Sequence, residues 1–243
     1  MKYSILECEA ASDAAIGGKS KVLGACEIVC SRLEGGATCY TVMPRGRAKT
    51  PRGGRDSLDG YYGQACDALA MCLKRLIGKR KFKRVLIVGL GNRGMTADAL
   101  GNKVISMLDA GGKAPHISLI APQVSIATGI DSSDVVRGVA GRIEPDLIVL
   151  TDTLATAYYG RVGACYQAAD KAIVPGSGVG GGNGGYADLN APVISIGAPL
   201  VITARALGLD IDDAFTPADI DLCVDRCGKD IARAINVALG RAC

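Results

Sequence analysis

Tryptophan is missing from this chain of 243 residues, and aromatic residues of all kinds make up only 4% of it. The hydrophobic fraction is nevertheless 49%, so the interior must be built mainly from Val, Ile, Leu and Ala. Aliphatic interiors of this kind suit close packing of helices on a sheet, which is typical of layered α/β folds. A chain of this length corresponds to one large domain or two small ones.

Histidine is almost as scarce, because His116 is the only one in the chain. Any Ser-His-Asp or Cys-His mechanism would have to use it, and a zinc motif of the H-E-x-x-H type is excluded. His116 begins a predicted strand, so in a parallel sheet it would lie at the edge opposite the strand ends. We therefore expect a structural role for His116 and assign any catalysis to carboxylates.

Paired-cysteine motifs are also absent, because the ten cysteines include no C-x-x-C pair. Cys26 and Cys30 share the i, i+4 spacing of Cys223 and Cys227, which predicts that each pair lies on one face of a helix. We interpret them as reduced packing residues in a reducing cytosol rather than as a disulfide framework or a metal site.

Long hydrophobic runs and a strong charge imbalance are lacking as well. No stretch approaches the roughly 20 apolar residues that span a bilayer, and residues 1–15 do not resemble a secretory signal. These features predict a soluble, cytoplasmic protein without a membrane partner. The net charge of +4 is too small for a nucleic-acid footprint. Basic clusters at 45–55 and 79–84 indicate solvated segments or, alternatively, a docking surface for an acidic protein.

Hydrophobic patterning divides the chain into alternating strands and helices. The predicted strands cover 22–30, 38–43, 85–90, 116–120, 147–151 and 192–197. The predicted helices cover 61–77, 96–108 with Thr96 as its N-cap, 132–143, 154–167, 200–206 and 217–239. The alternation predicts a three-layer α/β/α fold with a mostly parallel central sheet. We expect a single domain over 1–243.

Two glycine-rich motifs suggest phosphate binding, and both are incomplete. Gly89-x-Gly91-x-x-Gly94 follows a strand, as in dinucleotide-binding folds, but the next strand ends in Pro122-Gln123 without the ribose-binding acid. The run at 176–185 lacks the Gly-Lys-Ser/Thr ending of a P-loop. We interpret the first motif as a tight turn and the second as a loop at the rim of a site, and nucleotide binding stays an alternative.

Two aspartates follow apolar strands and are the strongest chemical signal in the sequence. Asp98 comes shortly after strand 85–90, and Asp152 comes directly after strand 147–151. The carboxyl ends of parallel strands meet at one crevice, so the two carboxylates are expected to share a site. Repulsion would then raise the pKa of one of them, leaving one carboxylate to activate water and the other to donate a proton. The alternative is that each aspartate only stabilises a helix N-terminus.

At these residues the chain resembles the germination proteases, the endopeptidases that degrade small acid-soluble spore proteins. The resemblance covers about 85–206, whereas the first 80 residues match poorly and are expected to pack on that core. It is carried by the following motifs in order: Gly89-Leu90-Gly91-Asn92 with Thr96-x-Asp98-Ala99-Leu100-Gly101, Thr128-Gly129-Ile130, Pro145-Asp146-Leu147-Ile148 leading to Asp152-x-Leu154-Ala155, Pro175-Gly176-Ser177-Gly178-Val179-Gly180, and Pro192 to Pro199.

The resemblance implies an atypical aspartic-type peptidase that needs no metal or other cofactor and has a fold similar to that of the hydrogenase maturation proteases. It carries the two essential aspartates over to Asp98 and Asp152. It further implies a zymogen that loses a short N-terminal segment, a homo-oligomer, and a location in the spore core.

The same resemblance suggests which residues shape the site and bind the substrate, with no direct contact to nucleic acid. We expect these to be Gly89, Gly91, Asn92, Thr96, Gly176, Ser177, Gly178 and Gly180. The alternatives are a hydrogenase-maturation-type peptidase, which is disfavoured because no histidine follows Asp152, and a non-catalytic protein-binding domain.

Overall fold

A computed structural model of the protein describes residues 19–45, 59–112, 115–156, 158–173, 185–210 and 214–241. In these ranges the chain forms one sheet of nine strands. The strands are β1 Lys19–Leu23, β2 Cys26–Arg32, β3 Thr38–Pro44, β4 Arg84–Gly89, β5 His116–Ile120, β6 Leu147–Thr156, β7 Tyr166–Ala169, β8 Val193–Thr203 and β9 Ala214–Phe215.

Helices connect and cover these strands. They are α1 Asp59–Ile77, α2 Leu100–Ser106, α3 Ser125–Thr128, α4 Ser132–Ile143 and α5 Ile220–Ala238. Helix α1 ends at Gly78, which takes a positive φ of 67° and donates its N–H to the Lys74 carbonyl at 2.9 Å. Glycine adopts this left-handed cap without a steric penalty. Helix α4 begins at Asp131, whose carboxylate accepts the N–H of Ser133 at 2.7 Å.

The sheet has a parallel half and an antiparallel half. Its strand order is β1-β2-β3-β7-β8-β6-β4-β5, and β9 pairs with β8. Strands β8, β6, β4 and β5 are mutually parallel, whereas β7, β3, β2 and β1 continue the sheet as antiparallel neighbours. The resemblance covers the four parallel strands and β7, and residues 19–44 extend the same sheet with β1, β2 and β3.

Strand β6 shows how the two faces of the sheet are covered. Its successive side chains point to opposite faces. Leu147 and Val149 join the core under α1, α2 and α5, whereas Ile148 and Leu150 join the core under α4. Both faces are thus buried under helices, as expected of a strand with a continuous apolar sequence. The predicted three-layer α/β class is confirmed.

Several predicted elements are wrong. Residues 154–167 are not a helix, because β6 continues to Thr156, followed by a short 3-10 turn and β7. Residues 200–206 are likewise the end of β8 and a 3-10 turn. Cys26 and Cys30 lie on strand β2, whereas Cys223 and Cys227 are buried on helix α5 as predicted. Within the described ranges, no helix has both the length and the hydrophobicity to cross a bilayer.

Candidate active site

Asp152 lies where β6 passes beyond its shorter neighbour β4. The β4–β6 ladder ends at the pair Gly89 and Thr151, and Leu90 donates its N–H to the Thr151 carbonyl at 2.8 Å. Strand β6 continues only because β8 pairs with it as far as Thr156. The Asp152 side chain is 9% exposed, and its Oδ1 accepts the N–H of Thr153 at 2.8 Å. A carboxylate is thereby held at the edge of the sheet in a largely apolar setting.

Asp98 reaches the same edge from the loop that follows β4. It closes a 3-10 turn at Thr96–Asp98, immediately before α2, and is half-buried. Its Oδ2 accepts the backbone N–H of Asn92 at 2.8 Å. Gly91 permits this turn, because its φ is +99° and a Cβ there would overlap the Asp98 carbonyl. Position 91 therefore tolerates only glycine if Asp98 is to keep its place.

The negative charge of Asp98 acts on the carboxyl group of Asp152. The pKa of Asp152 is raised from its ordinary 3.8 to about 8, first by burial and then by the charge of Asp98, while the N–H of Thr153 opposes both effects. Burial also raises the pKa of Asp98, but the Asn92 N–H limits that rise. Asp152 thus keeps its proton to a higher pH than a carboxyl group ordinarily does, and the charge of Asp98 is one cause of this.

The glycines around the site allow backbone to approach backbone. A Cβ at Gly89 would overlap the Gly101 carbonyl, and a Cβ at Gly101 would lie 2.5 Å from the Thr151 oxygen. These contacts bring the first turn of α2 directly onto β4 and β6. Gly89 and Gly91 therefore shape the turn that carries Asp98. A catalytic role for either aspartate stays a prediction.

The remaining predicted site residues have different outcomes. Asn92 faces Asp98 through its backbone. The prediction that Thr96 is a helix N-cap is wrong, because Thr96 is exposed in the 3-10 turn and the N-cap of α2 is Ala99, which makes no side-chain capping bond. Gly176, Ser177, Gly178 and Gly180 lie outside the described residues. His116 begins β5 at the opposite edge of the sheet and is exposed. The basic segment 79–84 ends at Arg84, the first residue of β4, so it also lies at that opposite edge.

Three polar residues near the site were not predicted from the sequence. Tyr186 is 1% exposed and its hydroxyl lies 2.9 Å from that of Ser132. Burial raises the pKa of Tyr186 to about 12; the hydrogen bond to Ser132 opposes this, and the charge of Asp152 adds to it. Asn102 and Gln123 form a hydrogen-bond chain behind Asp98. Only Gln123 carried a usable signal, since it follows the end of β5.

A metal site is not evident in the part of the chain that the structure describes. There, no group of three or more His, Cys, Asp or Glu side chains is arranged to hold an ion.

The fold and the aspartate pair define a candidate hydrolytic site at the carboxyl edge of a parallel sheet. The sequence profile of the germination protease family matches residues 62–231, well over half of the chain. The protein belongs to the germination protease family.

Individual relatives agree with this assignment. The germination protease of Caldanaerobacter subterraneus subsp. tengcongensis is 35% identical over 156 residues, which cover 58% of this chain and 48% of the relative. That of Priestia megaterium is 39% identical over 143 residues, covering 53% and 38%. The chain thus spans about half the length of the curated relatives it matches.

A solved structure with a similar arrangement is the [NiFe] hydrogenase maturation protease HycI from Thermococcus kodakarensis KOD1. The TM-score is 0.43 and the sequence identity 19%, with 68% of this chain and 99% of the other covered.

Proposed function

We propose that this protein is an endopeptidase in which Asp98 and Asp152 hydrolyse a peptide bond with a water molecule. The observation that carries this proposal is that the two carboxyl groups meet at one edge of the sheet, where the charge of Asp98 helps to raise the pKa of Asp152. The pKa of Asp152 is about 8, whereas an N–H bond limits the rise at Asp98. Near neutral pH Asp152 therefore keeps its proton, and we assign the negative charge to Asp98, because that charge is one cause of the raised pKa of Asp152.

The proposed roles follow from that distribution of charge. Asp98, the ionised member, removes a proton from water as the water attacks the peptide carbonyl carbon. Asp152, the protonated member, donates its proton to the carbonyl oxygen or to the leaving amine. Burial supports this division, because a low-dielectric setting strengthens the effect of each charge on the reacting atoms. Carboxylates and water supply all the chemistry in this scheme.

The proposed substrates are small acid-soluble spore proteins, cleaved during germination in the cytoplasm of the spore core. Membership of the germination protease family supports this substrate class. We further propose a homo-oligomer formed from a longer zymogen, again on the family resemblance. The four glycine and serine positions at 176–180 are proposed to contact the substrate.

The geometry of the Gly89–Gly94 motif argues against nucleotide binding. The Asn92 N–H, which a phosphate would need, is donated to the Asp98 carboxylate at 2.8 Å. A carboxylate in that position repels a phosphate group rather than binding it. The motif therefore serves the aspartate.

The test of this proposal is cleavage of a purified small acid-soluble spore protein, followed by mass spectrometry of the fragments. We expect discrete fragments from the wild-type chain and none from Asp98→Asn or Asp152→Asn. Asp67→Asn, an equivalent substitution at an exposed position on α1, is the matched control and should cleave normally. Full cleavage by either site variant would contradict the mechanism, and saturable binding of NADH without cleavage would favour the nucleotide alternative.

A further inference from the structure

A chain of side-chain hydrogen bonds lies behind the loop that carries Asp98. It starts at Gln123, in the segment after β5, and passes through Asn102 on α2 to the carbonyl of Gly91. None of these contacts involves the reacting carboxylates directly. The chain nevertheless joins three separate elements at the edge of the sheet where the candidate active site lies.

Asn102 is the centre of this chain and is only 9% exposed. Its Nδ2 donates to the Gly91 carbonyl at 3.1 Å, and its Oδ1 accepts from Gln123 Nε2 at 2.7 Å. Both ends of the side-chain amide are therefore occupied. A buried amide with both ends bonded holds its partners in one arrangement, because losing either bond leaves a buried polar atom unpaired.

Gln123 extends the chain to a second point on the same loop. Its Oε1 accepts the backbone N–H of Arg93 at 3.2 Å. Gln123 also has a φ of +66°, and Glu144 is the only other non-glycine residue in the described ranges with a positive φ. A side chain in left-handed backbone is disfavoured, and such positions concentrate where the surrounding structure fixes a functional geometry.

The two contacts enclose the residue that faces Asp98. Gly91 is held through its carbonyl and Arg93 through its N–H, and the residue between them is Asn92. The N–H of Asn92 donates to Asp98 at 2.8 Å, and its side chain accepts the N–H of Gly94 at 2.9 Å. Fixing the loop on both sides of Asn92 thus fixes the donor that limits the rise in the pKa of Asp98.

We propose that Asn102 and Gln123 are positioning residues, which hold loop 91–94 so that the Asn92 N–H and the Asp98 carboxylate keep their mutual geometry. This inference rests on the proposed function only in so far as Asp98 is the catalytic base. The tether itself is a property of the fold. Neither side chain is proposed to touch the substrate.

The main variant is Gln123→Gly, because glycine adopts a positive φ freely and the backbone at this position is then unstrained. It removes the contact to the Arg93 N–H and the bond that Asn102 Oδ1 accepts, and it leaves Asn102 bonded only to Gly91. Asn102→Asp is the second variant, since a carboxylate still accepts from Gln123 but cannot donate to Gly91. Gln64→Ala is the matched control, because it also removes a glutamine side chain that accepts a backbone N–H. Gln64 lies on α1 and accepts the N–H of Ala25 at 2.9 Å, a contact that does not involve loop 91–94.

Two measurements test the proposal. In peptide cleavage, Gln123→Gly and Asn102→Asp should lower kcat about tenfold or more and leave KM within about twofold, because misplacement affects the reacting geometry and not ground-state binding. In amide hydrogen exchange, the Asn92 N–H should exchange about tenfold or more faster in both variants, because the loop opens locally. Gln64→Ala should change neither quantity.

The outcomes separate this proposal from the proposed function. If the wild type cleaves, Asp98→Asn does not, and Gln123→Gly retains its kcat, the tether is refuted while the peptidase stands. A raised KM with unchanged kcat also overturns it, since that result indicates substrate binding. If the wild type cleaves nothing, the peptidase proposal fails, and unchanged exchange at Asn92 would refute the tether independently.

Discussion

Replacing Asp152 by Asn should stabilise the protein, although the same change is expected to abolish activity. Asn has the size of a protonated aspartate and can still accept the Thr153 N–H that Asp152 Oδ1 accepts at 2.8 Å. It cannot ionise, however. The variant therefore removes the free energy needed to keep an ionisable carboxyl group in a buried position beside Asp98.

The magnitude follows from the pKa of Asp152, which is about 8 in the folded protein and 3.8 ordinarily. The folded state binds this proton more tightly than the unfolded chain, so stability falls as pH rises through this interval. Each pH unit between the two values corresponds to about 1.36 kcal/mol. The advantage of Asp152→Asn should therefore be small near pH 4, reach about 4 kcal/mol at pH 7 and level off above about pH 8.

The assay is urea unfolding followed by circular dichroism, with the free energy of unfolding extrapolated to zero urea. Between pH 5 and pH 7 the difference between the variant and the wild type should grow by about 3 kcal/mol. Asp67→Asn, on an exposed surface, should show no such growth. Two results would refute this reasoning: the same difference at both pH values, or an Asp152→Asn variant less stable than the wild type at pH 7. Either would mean that the pKa of Asp152 is not raised, and the proposed roles of Asp98 and Asp152 would be refuted.

Two further predictions concern the same site. The value of kcat/KM should fall about tenfold per pH unit above pH 8, because Asp152 loses there the proton that it must donate as the acid. Steady-state rates between pH 6 and pH 10 measure this dependence, and a flat profile would contradict it. Gly91→Ala should lower the free energy of unfolding by about 2 kcal/mol or more, because its Cβ would overlap the Asp98 carbonyl at a positive φ. Urea unfolding measures the second effect, and Gly60→Ala, at a helical position with open space around it, is its control.

The meeting of Asp98 and Asp152 was predictable because it depends on topology and not on side-chain detail. Two apolar strands with glycine-rich or acidic ends predict parallel neighbours whose carboxyl ends share an edge. The observed β4–β6 ladder, with Gly89 opposite Thr151, brings the two following segments together. The pKa values depend on how deeply each carboxyl group is buried, and composition and spacing do not predict that depth.

The wrong helices at 154–167 and 200–206 have one physical cause. Strands β6 and β8 continue as partners beyond the end of the β4–β6 ladder, with Thr156 paired to Ile202. The apolar residues in both segments fit a buried strand as well as a helix, and periodicity alone does not separate the two. The deciding factor is the long-range partner, which lies more than forty positions away in the chain.

The tether of Asn102 and Gln123 could not be predicted from the sequence, for a different reason. In a helical pattern, Asn102 next to Lys103 predicts a solvated position, yet the close approach of Gly101 to Leu90 presses this turn of α2 against the sheet. In the sequence, Gln123 is noticed only because it stands where a dinucleotide-binding fold would have an acidic residue. The rule that finds the two aspartates applies equally to Gln123, because it too follows a parallel strand of the same sheet. A polar residue at the end of a third parallel strand therefore indicates a residue that positions the site, even where it does not indicate which reaction the site performs.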